Sequence, residues 1–224
     1  MIELYLDTAD IEEVRRFDSC LPLKGITTNP TILAKEKKGL NETLKGMSAV
    51  LSNTPRFHAQ VVSTDLQGML QEARKLSELP YDIVVKIPAT ETGLAAIKLA
   101  KKEGIQVLAT AIYSAQQGFL AALCGADYLA PYVNRIDAIN GNGVQVVADL
   151  QLLLERNQLP AKILAASFKN TQQAMEVMKL GIKAITLPVD VAAQMFAHPS
   201  VQPAVEQFSE DWKGVFADKL SFES

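Results

Sequence analysis

Eight short apolar runs rich in β-branched residues alternate with helix-like stretches along the chain, and this predicts an α/β fold. The specific expectation is one domain over 1–224, a (β/α)8 barrel of the TIM type with an extra C-terminal helix. Eight strand–helix units in 224 residues leave about 28 residues each, which suits a compact barrel. No Gly-x-Gly-x-x-Gly follows the first run, which weakens the rival reading of an open, doubly wound sheet.

The elements follow in order. Leu4 to Asp7 reads as a first strand, followed by a short helix with Ile11, Val14 and Phe17 on one face. Gly25 to Pro30 is a brief second strand, with helical pieces at about 31–37 and 40–52 broken at Gly39. Phe57 to Val62 is the third strand and carries Gln60; Met69, Ala73 and Leu76 mark its helix. Asp82 to Ala89 holds the fourth, with Leu94, Ile97 and Ala100 on the helix behind it. Gln106–Tyr113, Asp127–Val133, Ala161–Phe168 and Lys183–Val189 are the fifth to eighth. Their helices are expected at 115–123, 144–157, around Ala174 to Met178, and at about 190–197. Gly25, Gly104, Gly125 and Gly181 each precede an apolar run, as glycines just past a helix end do. A barrel needs one closing helix, yet a second follows at about 201–217. Its stripe of Val201, Val205, Phe208, Trp212, Val215 and Phe216 suits docking on a neighbouring subunit.

Composition narrows the function. A net charge of -3 with no basic run argues against nucleic acid and anionic membranes as partners. The first seven residues read as a strand and not as a signal peptide, and no stretch reaches membrane-span length. Cys20 and Cys124 form neither a metal spacing nor a disulfide framework, so a reducing, cytoplasmic setting is expected. With only His58 and His198, a histidine-based metal site is not expected, and neither is a cofactor.

The fourth strand holds the most informative residue. Lys86 interrupts Ile83-Val84-Val85 and Ile87, a run that reads as a strand buried on both faces. Burial lowers an ammonium's pKa, and a partly neutral lysine attacks carbonyl carbon. An edge-strand lysine snorkelling to water is the alternative. Polar residues also stand at the ends of the other strands: Asp7, Thr27 to Asn29, Gln60, Thr110, Tyr132, Arg135, Ser167 and Lys169. Singly, each has a structural reading, such as a helix cap for Asp7 or Asn29, or a pairing of Arg135 with Asp137. In a barrel they all fall at one rim. Together they suggest imine chemistry: Lys86 forms a Schiff base, and Tyr132, Asp7, or a water held by Gln60 and Thr110 moves protons. Arg135 and Ser167 suit a phosphate, with Lys169 adding charge.

These residues sit in recognisable motifs: Leu4-Tyr5-Leu6-Asp7-Thr8, Gly25-Ile26-Thr27-Thr28-Asn29-Pro30, Ile83-Val84-Val85-Lys86-Ile87-Pro88, Ala130-Pro131-Tyr132-Val133-Asn134-Arg135 and Ala165-Ala166-Ser167-Phe168-Lys169. In this order the chain resembles the fructose-6-phosphate aldolases of the transaldolase superfamily over nearly its whole length. The resemblance implies Lys86 as the Schiff-base lysine, Tyr132 as acid–base residue, and Gln60 and Thr110 holding the water. It also implies donor contacts from Asp7 and Asn29, a phosphate site at Arg135 and Ser167, and no cofactor or metal. The implied substrates are a sugar phosphate and dihydroxyacetone, and the implied assembly is a homodecamer of two pentamers. Transaldolases are expected to carry Glu at position 60 and Phe at 132, so Gln60 with Tyr132 favours aldol cleavage over transfer. A transaldolase is the rival of the same class; a non-catalytic sugar-phosphate-binding barrel is the rival of another. His58, two residues before Gln60, stands where the resemblance leads one to expect a larger apolar residue. A satisfied core histidine is the expectation there.

Overall fold

In the computed structural model, which describes residues 2–223, eight parallel strands close a barrel in chain order. They are β1 (Glu3–Asp7), β2 (Leu23–Thr27), β3 (Arg56–Gln60), β4 (Asp82–Pro88), β5 (Val107–Ile112), β6 (Tyr128–Pro131), β7 (Lys162–Ala165) and β8 (Ala184–Leu187), and β8 pairs back onto β1. The single-domain (β/α)8 expectation holds. The outer layer comprises α1 (Ile11–Asp18), α2 (Pro30–Glu36), α3 (Leu40–Val50), α4 (Leu66–Ser77), α5 (Glu91–Lys102), α6 (Ala115–Leu123), α7 (Val133–Asp137), α8 (Gly143–Arg156), α9 (Thr171–Lys179) and α10 (Val189–Gln194). The C-terminal α11 (Val201–Phe216) follows.

Period-two alternation divides the core. Outward residues such as Leu6, Ile26, Phe57, Ile87 and Leu129 pack against the helices. Inward residues Tyr5, Val84, Leu108, Tyr128, Ala130 and Leu164 fill the barrel. Seven helices (α1, α2, α4, α5, α6, α8 and α9) open on an Asp, Asn, Ser or Thr whose side chain accepts an N–H of the first turn. These caps stand on the rim where the strands end, so they fix the loops that carry the polar residues.

The strands differ from the sequence reading in the second and sixth, each through contacts with a neighbouring strand or its loop. The second strand begins at Leu23, and Gly25 lies inside it, paired with Tyr5 and Arg56. A Cβ there would stand 1.8 Å from the Arg56 carbonyl oxygen, so this glycine serves close strand approach and not a helix end. Gly104, Gly125 and Gly181 do follow helices, at φ of +77°, +93° and +78°. Finally, α7 starts where the sixth strand was expected to continue, because the Val133 and Asn134 N–H groups turn to the carbonyls of Ala166 and Ser167.

No helix among the described residues is long and apolar enough to cross a membrane. None of the residues of α11 is buried, and Val201, Val205, Phe208 and Val215 leave more than half their surface in water. Trp212 packs its ring 4.3 Å from that of Phe216, and its Nε1 donates to the Lys219 carbonyl.

Candidate active site

The strand ends surround a cavity of about 200 Å³ lined by Asp7, Thr27, Asn29, Lys86, Tyr132, Arg135, Ser167 and Thr186. Its depth is set by Leu108, Ala130 and Leu164, which belong to the barrel's interior cluster. Lys86 projects into it from the middle of β4, where five consecutive residues are buried. The lysine is only 5 % exposed, and its Nζ donates to the Thr28 carbonyl at 2.7 Å. Thr28 is itself fixed by bonds from its N–H and hydroxyl to the His58 carbonyl. Burial lowers the Lys86 pKa, and the negative charge of Asp7 opposes this only in part. The described residues give this ammonium no salt-bridged carboxylate. Its one hydrogen bond among the described residues goes to a neutral carbonyl acceptor.

Tyr132 is a second titratable group of the cavity. Its hydroxyl lies 2.8 Å from Thr110 Oγ1, a bond in which either oxygen can donate. Burial raises the phenol's pKa, while the Thr110 bond and the Arg135 charge pull the other way. The Arg135 guanidinium lies 4.8 Å from the Tyr132 ring centroid and donates to the Tyr113 hydroxyl. It forms no ion pair with Asp137, which accepts from Gly143 N–H and Gln173 Nε2 instead. On the far wall, Thr27 donates to Asp7 Oδ1 at 2.6 Å and meets Thr186 Oγ1 at 2.7 Å. Two backbones at this rim are strained: Ser167 at φ +61° and Ala111, in the irregular register of β5, at φ +56°.

The family model described as Transaldolase/Fructose-6-phosphate aldolase matches residues 4–223. The chain belongs to that family. It is therefore an enzyme of the transaldolase and aldolase type, whose barrel carries the site described above. Among solved structures, the fold is similar to that of a thiamine phosphate pyrophosphorylase from Pyrococcus furiosus. The TM-score is 0.54 at 19 % identity, with 84 % of this chain and 85 % of that chain covered. The likeness is one of fold.

Of the residues singled out in the sequence, Lys86, Tyr132, Asp7, Asn29, Thr27, Arg135 and Ser167 share the cavity, and Thr110 stands behind it on Tyr132. Asn29 also caps α2 through Ile32 N–H, so its structural and site readings hold together. Gln60 ends β3 in register with Lys86, but it lines the adjoining groove with Pro30 and Val62, not this cavity. Lys169 is exposed and lies outside, because the turn at Ser167 and the Asn170 cap carry the chain away from the mouth. His58 is a core residue, and neither ring nitrogen has a hydrogen-bond partner among the described residues. The sequence reading missed Thr186. A threonine in the four-residue apolar strand Ala184–Leu187, two positions from buried Ala184, was the available signal.

Proposed function

We propose that the protein is a cytosolic class I aldolase that cleaves fructose 6-phosphate reversibly to dihydroxyacetone and glyceraldehyde 3-phosphate. The observation that carries this reading is the placing of a phenol, Tyr132, in the same cavity as a buried lysine without a salt-bridge partner.

In the proposed sequence the neutral Lys86 amine adds to the ketone and water leaves, giving an iminium. A base takes the proton of the neighbouring hydroxyl, the carbon–carbon bond beside the iminium breaks, and its electron pair moves to the nitrogen as an enamine. Glyceraldehyde 3-phosphate departs. Proton transfer from Tyr132, direct or through water, to the enamine carbon restores an iminium. Hydrolysis then frees dihydroxyacetone and Lys86. A site that leaves the enamine unprotonated instead holds it for an acceptor aldehyde, which is transaldolase chemistry. Thr110 would orient the phenol, Asp7, Thr27 and Asn29 would meet the donor hydroxyls, and Arg135 with Ser167 would take the phosphate. The bare apolar face of α11 supports docking on a neighbouring subunit, and we propose a decamer of two pentamers; light scattering that found a monomer would overturn it.

The deciding test is release of both products from fructose 6-phosphate with and without erythrose 4-phosphate. Release without acceptor, lost in Lys86→Ala and slowed strongly in Tyr132→Phe, is expected. Turnover only with acceptor would make it a transaldolase. Borohydride trapping of dihydroxyacetone on Lys86 excludes a binding-only barrel.

A further inference from the structure

Three of the four buried side-chain atoms that lack a hydrogen-bond partner among the described residues lie on β3: Nδ1 and Nε2 of His58 and Oε1 of Gln60. The fourth, Oε2 of Glu13, faces the Arg16 guanidinium at 3.4 Å on the outer surface. His58 and Gln60 are two residues apart on one strand, so they share a face, opposite Val84 and Lys86 in register. The His58 ring is 1 % exposed and meets the rings of Tyr5 and Tyr128 edge-on at 4.8 and 5.3 Å. Neither tyrosine serves it: both meet the imidazole through their rings, and their hydroxyls reach away to Glu3. The charges facing it are those of Lys86 on β4 and Arg56 on β3, and with burial they keep the imidazole neutral.

A neutral imidazole still has one N–H to place. A phenylalanine would pack between the same two rings without that demand. Gln60 Oε1, one inward position along the strand, lacks a donor. Alternate residues on a strand are about 6.6 Å apart, a span that one water with two hydrogen bonds of about 2.8 Å covers with modest side-chain reach. We propose that a buried water accepts the His58 N–H and donates to Gln60 Oε1. His58 is thereby a positioning residue: through the water it fixes the Gln60 amide at the end of β3, in register with Lys86. This rests on the aldolase reading above for its effect on rate, but not for the water itself.

The test has two arms. The chain has only two histidines, and His198 is exposed, so the imidazole 15N spectrum of the intact protein resolves His58 directly. A hydrogen-bonded N–H shift with an exchange cross-peak to water supports the bridge; the shift of a free N–H with no cross-peak overturns it. In the second arm, His58→Phe lowers kcat for dihydroxyacetone release about tenfold and moves its pH profile, while KM and borohydride trapping on Lys86 stay unchanged. His58→Asn, which keeps a donor, recovers most of the loss. If His58→Phe keeps the parental kcat and pH profile, the positioning role is wrong. If the parent protein releases no dihydroxyacetone at all, the aldolase reading fails, and the 15N arm alone decides the water.

Discussion

The two ends of the barrel treat a lysine in opposite ways. At the closed end, Lys162 Nζ donates to Glu3 Oε1 at 2.6 Å, and Glu3 also accepts from the hydroxyls of Tyr5 and Tyr128. Arg56 completes this floor by bonding both Tyr128 and Asp82. Lys162 is thus paired with Glu3, and Arg56 with Asp82. The bond to Glu3 raises the Lys162 pKa; burial would raise that of Glu3, but its three donors hold it below the usual carboxylate range. At the open end Lys86 is more deeply buried, bonds a neutral carbonyl, and has its pKa lowered. The floor pairs its charges, which suits stability, whereas the mouth leaves its lysine without a counter-ion, which suits the reactivity proposed above.

Activity should separate the ends most sharply. Lys86→Met is expected to lose at least about a thousandfold in fructose 6-phosphate cleavage, since no other group supplies the amine. Lys162→Met should stay within about threefold in the same steady-state assay, because its contacts are confined to the floor. Equal losses in the two variants would mean that the floor controls the mouth's geometry and would break the contrast.

Stability should run the other way. Glu3→Leu strands three donors and is expected to cost about 2–4 kcal/mol in urea unfolding. Lys86→Met removes a buried amine whose charge Asp7 offsets only in part, and should gain about 1–3 kcal/mol at pH 7. A destabilised Lys86→Met protein would show that the bond to Thr28 outweighs desolvation.

The pH dependence of stability sharpens this. Lys86 is depressed in the folded state against an ordinary value of 10.5. Between its folded value and 10.5 the unfolded chain binds more protons, so stability climbs as pH rises through that window. Below it the cost of the buried charge is fully present. Glu3 is also depressed, from 4.5, so its contribution is complete above that pH and is lost as pH falls through its folded value. Unfolding free energy measured against pH should therefore lose its alkaline rise in Lys86→Met and its acid fall in Glu3→Leu.

Much of this contrast was legible in the sequence, but unevenly. A lysine in a β-branched run announces the mouth because one residue breaks a strong local pattern. The floor had no such signal: Glu3, Arg56, Tyr128 and Lys162 are common types at the starts of four strands, and only barrel closure brings them together. Strand ends were read too long, as at Tyr132, because the rule that ends a strand there is a tertiary one: N–H groups turning to β7's loop. Gly25 misled because a glycine for close approach and a glycine for a helix end look alike in sequence. The rings that enclose His58, those of Tyr5 and Tyr128, come from β1 and β6, so its lack of a side-chain partner among the described residues is not encoded locally.

The smallest effect compares two tyrosines. Tyr132 at the mouth has one hydroxyl bond, to Thr110; Tyr128 at the floor bonds Glu3 and Arg56. Thr110→Val should therefore cost about 0.5–1.5 kcal/mol of stability and slow dihydroxyacetone release several-fold, since the phenol loses its one hydroxyl partner among the described residues but keeps its burial. Tyr128→Phe should cost a similar 0.5–1.5 kcal/mol or slightly more, about one charged hydrogen bond shared between two ions that each retain another partner, and leave release unchanged. Matched urea titrations and product-release assays on the two variants read both numbers. If Thr110→Val left release at the parental rate, the Tyr132 hydroxyl would be oriented by substrate alone, and preorganisation at the mouth would rest on Lys86 and Thr28.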